Sequence, residues 1–304
     1  MDQGVMAFFS VVIPTFNRAD LIAYTVRSVQ AQTFSDYEII IVDDGSTDNT
    51  KDVIADLNIP KLRYLKTENM ERGHARNKGL HLATGEFVVF LDSDDLFEKS
   101  HLQVLFDVIQ SKPSCNFFAT KYRFLTHTGI LKPSDIEKMP QDFYSYLDLL
   151  KGNFFACNFC LKRINAKIKW FEEDKNFSIM EDWMFLMENL RYDRLYLINE
   201  FTVQLRDHYD RSMNSDNQKI INRKLAATQW IEERVPLSKD EQRMLQAYSF
   251  YFCAIHSYLD YKKIQAIRFI FSAIKLNGLK FSYLLFLPKA LVGKRIIKIL
   301  RNET

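Results

Sequence analysis

The sequence predicts a doubly wound α/β fold with a mostly parallel sheet, followed by a helical C-terminal region. Three observations carry that expectation. Strand-length segments at residues 9–13, 38–42 and 87–91 are apolar almost throughout, as strands covered on both faces are. Segments of helical periodicity separate them. Each strand stops at polar residues, Pro14-Thr15, Asp43-Asp44 and Asp92 to Asp95, so three polar motifs meet at the sheet edge where such folds bind ligands.

The elements follow in order. Residues 9–13 form a strand that Pro14 stops, and residues 19–32 place Leu21, Ile22, Val26 and Val29 at helical spacing. Residues 38–42 form a second strand, ended by Asp43-Asp44-Gly45. Ser46 is expected to cap a helix running to Leu57. A strand at 62–65, a helix at 74–83 and the strand at 87–91 complete the alternation. From residue 100 the character changes to a helix over 100–111, strands near 117–119 and 154–161, and a helix over 177–192. After Arg211 the pattern is helical to the end, with aromatic residues at Tyr248, Phe250, Tyr251 and Phe252.

A chain of 304 residues is long enough for about two domains, and 47% apolar content marks it as ordered and globular. A net charge of +3 is too mild to point to nucleic acid. Residues 1–9 carry Asp2 and no basic residue, so a signal peptide is not expected, and no uncharged stretch reaches about 18 residues, so no spanning helix is expected either. Four cysteines fit a reducing compartment. Cys157 and Cys160 have metal or redox spacing, but without a second pair or a nearby His they read as two small residues on a strand.

The acids after residue 91 commit the chain to chemistry. Three carboxylates within four positions, Asp92, Asp94 and Asp95, follow an apolar strand that cannot bury an unpaired charge, so they emerge at its end and repel one another. A divalent cation with oxygen ligands relieves that repulsion and leaves positions for phosphates. An isolated Asp-X-Asp is as often a solvated loop. Convergence with the other two strand ends favours a metal-diphosphate site.

The chain resembles the inverting family 2 glycosyltransferases of the GT-A fold, in the non-processive, bacterial polysaccharide-biosynthesis branch. The residues that carry the resemblance are Val12-Ile13-Pro14-Thr15-Phe16-Asn17-Arg18, Gln32-Thr33-Phe34, Val42-Asp43-Asp44-Gly45-Ser46-Thr47-Asp48, Gly73-His74-Ala75-Arg76-Asn77-Lys78-Gly79, Phe90-Leu91-Asp92-Ser93-Asp94-Asp95 and Glu181-Asp182-Trp183. The resemblance implies a GT-A catalytic domain over residues 1–212, with a nucleotide-binding half at 1–98 and an acceptor half at 99–212. Residues 213–304 are a helical region outside it. It also implies one sugar transferred per encounter from a nucleoside-diphosphate sugar, a UDP-sugar first among them, to an acceptor hydroxyl of a glycan or lipid-linked precursor, as in a hexosyl- or hexosaminyltransferase.

Site roles follow from the resemblance. Pro14, Thr15, Asn17, Asp44, Arg76, Asp92 and Arg211 are expected at the nucleotide and its phosphates, with Asp44 accepting an N–H of the base. Arg76 could equally form a structural ion pair with Asp43 or Asp92. Asp94 is the expected metal ligand for Mn²⁺ or Mg²⁺, with His208 either a second ligand or a structural residue. Asp182 falls where the family places its general base. Asp95 and Glu181 support these groups, and Trp183 either stacks on a sugar or packs in the core.

Beyond Lys262 the chain is strongly basic. A helix from Pro288 to residue 300 would set Val292, Ile296 and Ile299 on one face and Lys294, Lys298 and Arg301 on another, suiting an anionic membrane surface or a packed terminal helix. The expected location is the cytoplasm, peripheral on the inner face of the cell membrane. A sugar nucleotidyltransferase or a dinucleotide enzyme would need a glycine-rich loop after the first strand, and Pro14-Thr15-Phe16-Asn17 has none. A catalytically degenerate binding subunit is the non-enzymatic alternative, and the retained Asp94 and Asp182 argue against it.

Overall fold

The computed structural model describes residues 7–165, 167–207 and 216–294. These fall into two compact units, one of residues 7–146 and 153–207, the other of residues 147–152 and 216–294. His208, Arg211 and the last residues of the basic tail lie outside the described residues.

The first unit opens with β1 (Phe9–Thr15), α1 (Ile22–Gln30), β2 (Tyr37–Asp43), α2 (Thr50–Asp56), β3 (Leu62–Lys66), α3 (Glu71–Leu82) and β4 (Phe87–Phe90). It continues with β5 (Leu96–Phe97), α4 (His101–Ser111), β6 (Phe117–Leu125), β7 (Leu131–Lys132), β8 (Phe143–Tyr144), β9 (Cys160–Lys162), α5 (Glu181–Asn189) and β10 (Leu195–Arg206). One mixed sheet runs in the order β3-β2-β1-β4-β9-β6-β10-β5, with β7 beside β6 and β8 beside β10. Strands β1 to β4 are parallel, whereas β9 runs antiparallel to both β4 and β6. Every residue of β1 and β4 is buried, which is why β4 reads as a continuous apolar run and β1 as a mainly apolar one.

Register aligns the strand ends. Thr15 lies opposite Asp43 and Val12 opposite Phe90, so Asp92, two residues past Phe90, falls level with Pro14. Close packing of α3 on β1 holds the edge in place. A Cβ on Gly79 would fall 2.2 Å from Val12 Cγ1, and one on Gly73 would fall 2.0 Å from the Glu172 carbonyl oxygen, so both helix positions require glycine.

Several boundaries differ from the sequence reading for local reasons. The strand expected over 154–161 shrinks to β9, because the Asn153 side-chain oxygen accepts from Phe155 N at 2.9 Å and Ala156 turns at φ 50°. Cys157 therefore sits in a turn while Cys160 sits on β9, both as buried free thiols. The helix expected over 177–192 begins only at Glu181, since Ile179 at φ 73° breaks the run. Ser46 does not cap α2; its hydroxyl accepts from Asn17 N at 2.8 Å, and Asp48 takes the Thr50 N–H at 3.0 Å instead.

The second unit is helical among its described residues, with α6 (Asn217–Arg234), α7 (Lys239–Leu259), α8 (Lys263–Asn277) and α9 (Phe281–Val292). A reciprocal capping box between Ser238 and Glu241 starts α7. Ala254, Ala266, Ile270, Ala273, Tyr283 and Phe286 form the core shared by α7, α8 and α9. The tail helix expected to start at Pro288 is corrected. Pro288 lies inside α9, which starts at Phe281, and Gly293 at φ 91° ends that helix after Val292. The N–H that Pro288 lacks would have bonded the carbonyl of Leu284, a residue on the exposed side where water can satisfy it. No helix among the described residues is long and apolar enough to cross a membrane.

Gly79→Ala drives a methyl group into Val12 and is expected to destabilise the fold by about 2 kcal/mol, read as a lower urea midpoint at unchanged slope.

Candidate active site

The ends of β1 and β2 build one wall. Asp44 N donates to Thr15 O at 2.8 Å, locking the two strand ends together. The Thr15 hydroxyl is buried and has no partner among the described residues, an orphan that a bound ligand would satisfy. Asn17, in a left-handed conformation at φ 49°, accepts from Thr47 N at 2.8 Å through its side-chain oxygen. That carboxamide oxygen ties two loops together. Asp44 accepts from Met70 N and Glu71 N, each at 2.8 Å, so a base N–H would be its third donor. Burial pushes the Asp44 carboxyl up from its ordinary value, and the two N–H donors only partly offset this.

The acids after β4 form the facing cluster. Asp92, Asp94 and Asp95 each offer a carboxylate oxygen, all within 4.8 Å of one another. Such an all-oxygen, anionic donor set fits Mg²⁺ or Mn²⁺. The three acids have different anchors. Asp95 Oδ1 accepts from Arg206 N at 2.9 Å, fixing the cluster to β10. Asp94 Oδ2 lies 3.6 Å from Arg18 Nε, and Asp92 Oδ1 accepts from Arg76 Nη2 at 2.8 Å.

Arg76 joins this cluster to α5. Its other terminal nitrogen donates to Glu181 Oε1 at 2.5 Å, and its side chain is 1% exposed. This corrects the expectation that Arg76 reaches the base or phosphates, because the guanidinium is enclosed between two carboxylates and faces the Phe171 ring at 5.6 Å. Of the alternatives open in the sequence, the ion pair with Asp92 is the one that forms. Burial is the largest influence on Glu181 and pushes it up, but the charges of Arg76 and Arg72, with the hydrogen bonds to the carboxylate, together outweigh it and hold that carboxyl below its ordinary range.

Asp182 follows Glu181 in the first turn of α5. Its Oδ1 accepts from Trp183 N at 2.7 Å and its Oδ2 from Asn153 Nδ2 at 2.9 Å. Burial, and then the charge of Glu181, push the Asp182 carboxyl up to about 7. Trp183 is 2% exposed, so the sugar-stacking role is corrected: its ring belongs to the core. The segment leading into α5 is fastened to α3, where Asn77 exchanges hydrogen bonds with Phe171 N and O, both at 2.9 Å, and His74 pairs with Glu173 at 2.8 Å.

The site also includes residues that sequence reasoning missed. Asn153 is 29 positions from Asp182 and carries no motif. Arg18 was visible only as the end of the first motif. Phe16, 42% exposed directly after Thr15, was legible as an aromatic outside the strand pattern and offers a face suited to a planar ring.

Residues 10–170 match the profile of Glycosyl transferase family 2. TuaG of Bacillus subtilis (strain 168), a putative teichuronic acid biosynthesis glycosyltransferase, is 37% identical over 152 residues, covering 49% of this chain and 59% of TuaG. A GalNAc(5)-diNAcBac-PP-undecaprenol beta-1,3-glucosyltransferase of Campylobacter jejuni is 27% identical over 291 residues, 90% of this chain and 91% of that protein. The chain spans between 33% and 59% of the length of the first curated relatives it matches. Among solved structures, S. aureus TarS 1–349 in complex with UDP-GlcNAc superposes with a TM-score of 0.69 at 20% identity, covering 97% of this chain and 92% of that one, a likeness of fold.

Arg76→Met leaves Glu181 buried without its countercharge and is expected to lower stability by about 3–5 kcal/mol in urea unfolding, whereas the double variant Arg76→Met/Glu181→Leu recovers most of that loss.

Proposed function

Because the chain belongs to glycosyl transferase family 2, we propose that it is an inverting glycosyltransferase that moves one sugar from a nucleoside-diphosphate sugar to an acceptor hydroxyl. The observation that carries this reading is the single edge on which the orphan Thr15 hydroxyl, Asp44 and the Asp92-Asp94-Asp95 cluster meet, tied through Arg76 to Glu181, the residue before Asp182.

In this reading Pro14, Thr15 and Asp44 hold the nucleoside, a uridine first among the candidates, and Asp92 faces the ribose. Asp94, with Asp92, would hold a divalent cation, Mn²⁺ or Mg²⁺. That cation supplies charge neutralisation for the departing diphosphate when bound. Asp95 holds the cluster against β10. His208 and Arg211, outside the described residues, are proposed at the metal and the diphosphate. Asp182 takes the proton of the acceptor hydroxyl at its carboxylate as that oxygen attacks the anomeric carbon from the face opposite the leaving group. A pKa near 7 suits a base that must accept a proton near neutral pH. Asn153 and the Trp183 N–H orient the carboxylate.

The proposed acceptor is a lipid-linked or surface-polysaccharide precursor, by analogy with the undecaprenol-linked substrate named for the Campylobacter relative. Such an acceptor would hold the enzyme at the anionic inner face of the cell membrane, the partner expected for the basic tail.

The test is transfer and binding measured together. UDP should raise the melting temperature, more so with Mn²⁺, and Asp182→Asn should keep that shift while lowering kcat by about 10²- to 10⁴-fold. Binding of UDP without transfer of any sugar would mark a binding subunit instead.

The wild-type rate should fall as pH drops below about 7, where Asp182 becomes protonated. Stability should move the other way. A carboxyl whose folded pKa lies above its unfolded value contributes stability that is complete below the unfolded pKa and lost as pH rises through the folded one. Asp182→Asn should therefore stabilise the protein by up to about 4 kcal/mol at pH 8 and hardly at pH 4, measured by urea unfolding.

A further inference from the structure

We propose that the exposed face of α8 and α9 is a docking surface for an anionic lipid bilayer, which α9 enters lying flat in the interface. This deepens the membrane partnership suggested above by naming the surface. It rests on the second unit, and its binding is measured without donor or acceptor, so it can fail or hold independently of the transfer chemistry.

The pattern begins in α9. Tyr283, Phe286 and Ala290 recur at helical spacing and are buried in the shared core. The other side of the helix is also apolar and open to solvent, with Phe281 76%, Leu284 48%, Leu285 57% and Val292 38% exposed. These four stand at i, i+3, i+4 and i+11, a single stripe. In α8, Ile264 and Phe271, seven residues apart, are 69% and 52% exposed. A water-facing helix does not ordinarily present such a row of large apolar side chains.

Charge identifies what the stripe fits. From Tyr261 to Lys294 there are seven lysines and arginines and no Asp or Glu. Lys262 is partly neutralised by Asp260 at 2.7 Å, but among the described residues no carboxylate pairs with Arg268, Lys275, Lys280 or Lys289, all exposed. Lys280 and Lys289 bracket the α9 stripe. An apolar stripe with a purely cationic border matches the boundary between acyl chains and anionic headgroups, where lysine stems lie along the apolar layer and their ammonium groups reach the phosphates. The 12 residues of α9 span about 18 Å, too short for a hydrocarbon core of about 30 Å, so the helix lies on the membrane and does not cross it.

The experiment is flotation of the full chain with vesicles of phosphatidylcholine alone or with about one third phosphatidylglycerol. Wild type should float with the anionic vesicles, at least about tenfold more than with neutral ones, and salt should weaken the binding. Phe281→Ser/Leu285→Ser and Lys280→Glu/Lys289→Glu should each reduce flotation at least about tenfold. Both pairs are exposed, so the melting temperature of each variant should match wild type and serves as the folding control. Equal flotation on both vesicle types, or variants that float like wild type, overturns the proposal. A concentration-dependent dimer that the apolar pair dissolves, with no vesicle binding by wild type, overturns it in favour of a second copy as the occupant.

Discussion

A buried guanidinium holds the site together. Arg76 donates to Asp92 and to Glu181, and these two carboxylates come from opposite parts of the first unit: one follows β4, the other opens α5. Removing two acids and an arginine from water is expensive, and only good mutual geometry offsets it. Around that constraint much of the local architecture follows. Gly73 and Gly79 let α3, which carries Arg76, approach the segment before α5 on one side and β1 on the other. Asn77 and His74 fasten the same helix to Phe171 and Glu173.

The same arrangement sets the electrostatic contrast at α5. Glu181 and Asp182 are adjacent, yet Arg76 contacts only the first. Glu181 is held ionised, and its charge adds to burial in raising Asp182. Two neighbouring carboxyls thus acquire opposite shifts: Arg76 helps to hold Glu181 down, whereas burial and the charge of Glu181 outweigh the pull of Arg76 on Asp182. Asp92 lies at the other end of this chain of charge, within the oxygen cluster suited to a divalent cation. The carboxylate cluster after β4 and the start of α5 are therefore mechanically continuous through a single side chain.

Much of the framework was legible beforehand, and the errors are instructive. Strands β1, β2 and β4 were recoverable because both faces are largely covered and their sequences are mainly apolar. The carboxylate cluster was legible because three acids within four positions follow a strand that cannot bury them, so they must crowd together at its end. Asn17, Arg76 and Trp183 stand out in the sequence, but their protein contacts do not. Each carries a group able to bind a ligand, and in each case a protein partner or the core takes it. The segments around residues 154–161 and 177–180 misled because Ala156 and Ile179 adopt left-handed backbone conformations that their residue types do not advertise. Pro288 misled because a proline at a helix start and one inside an exposed helix look alike in sequence.

The sequence by itself determined the order of strands and helices, the sheet edge on which the polar motifs meet, and the identity of the acids there. These depend on periodicity, turn chemistry and spacing, all local properties of the chain. Only the tertiary structure decided how those groups are used. Arg76 finds Asp92 across 16 positions and Glu181 across 105, Asn153 reaches Asp182 across 29, and Asp95 is pinned by a backbone N–H 111 residues away. Burial and pairing at such separations arise from packing that brings distant segments together, and no local pattern encodes which partner a buried charge will meet.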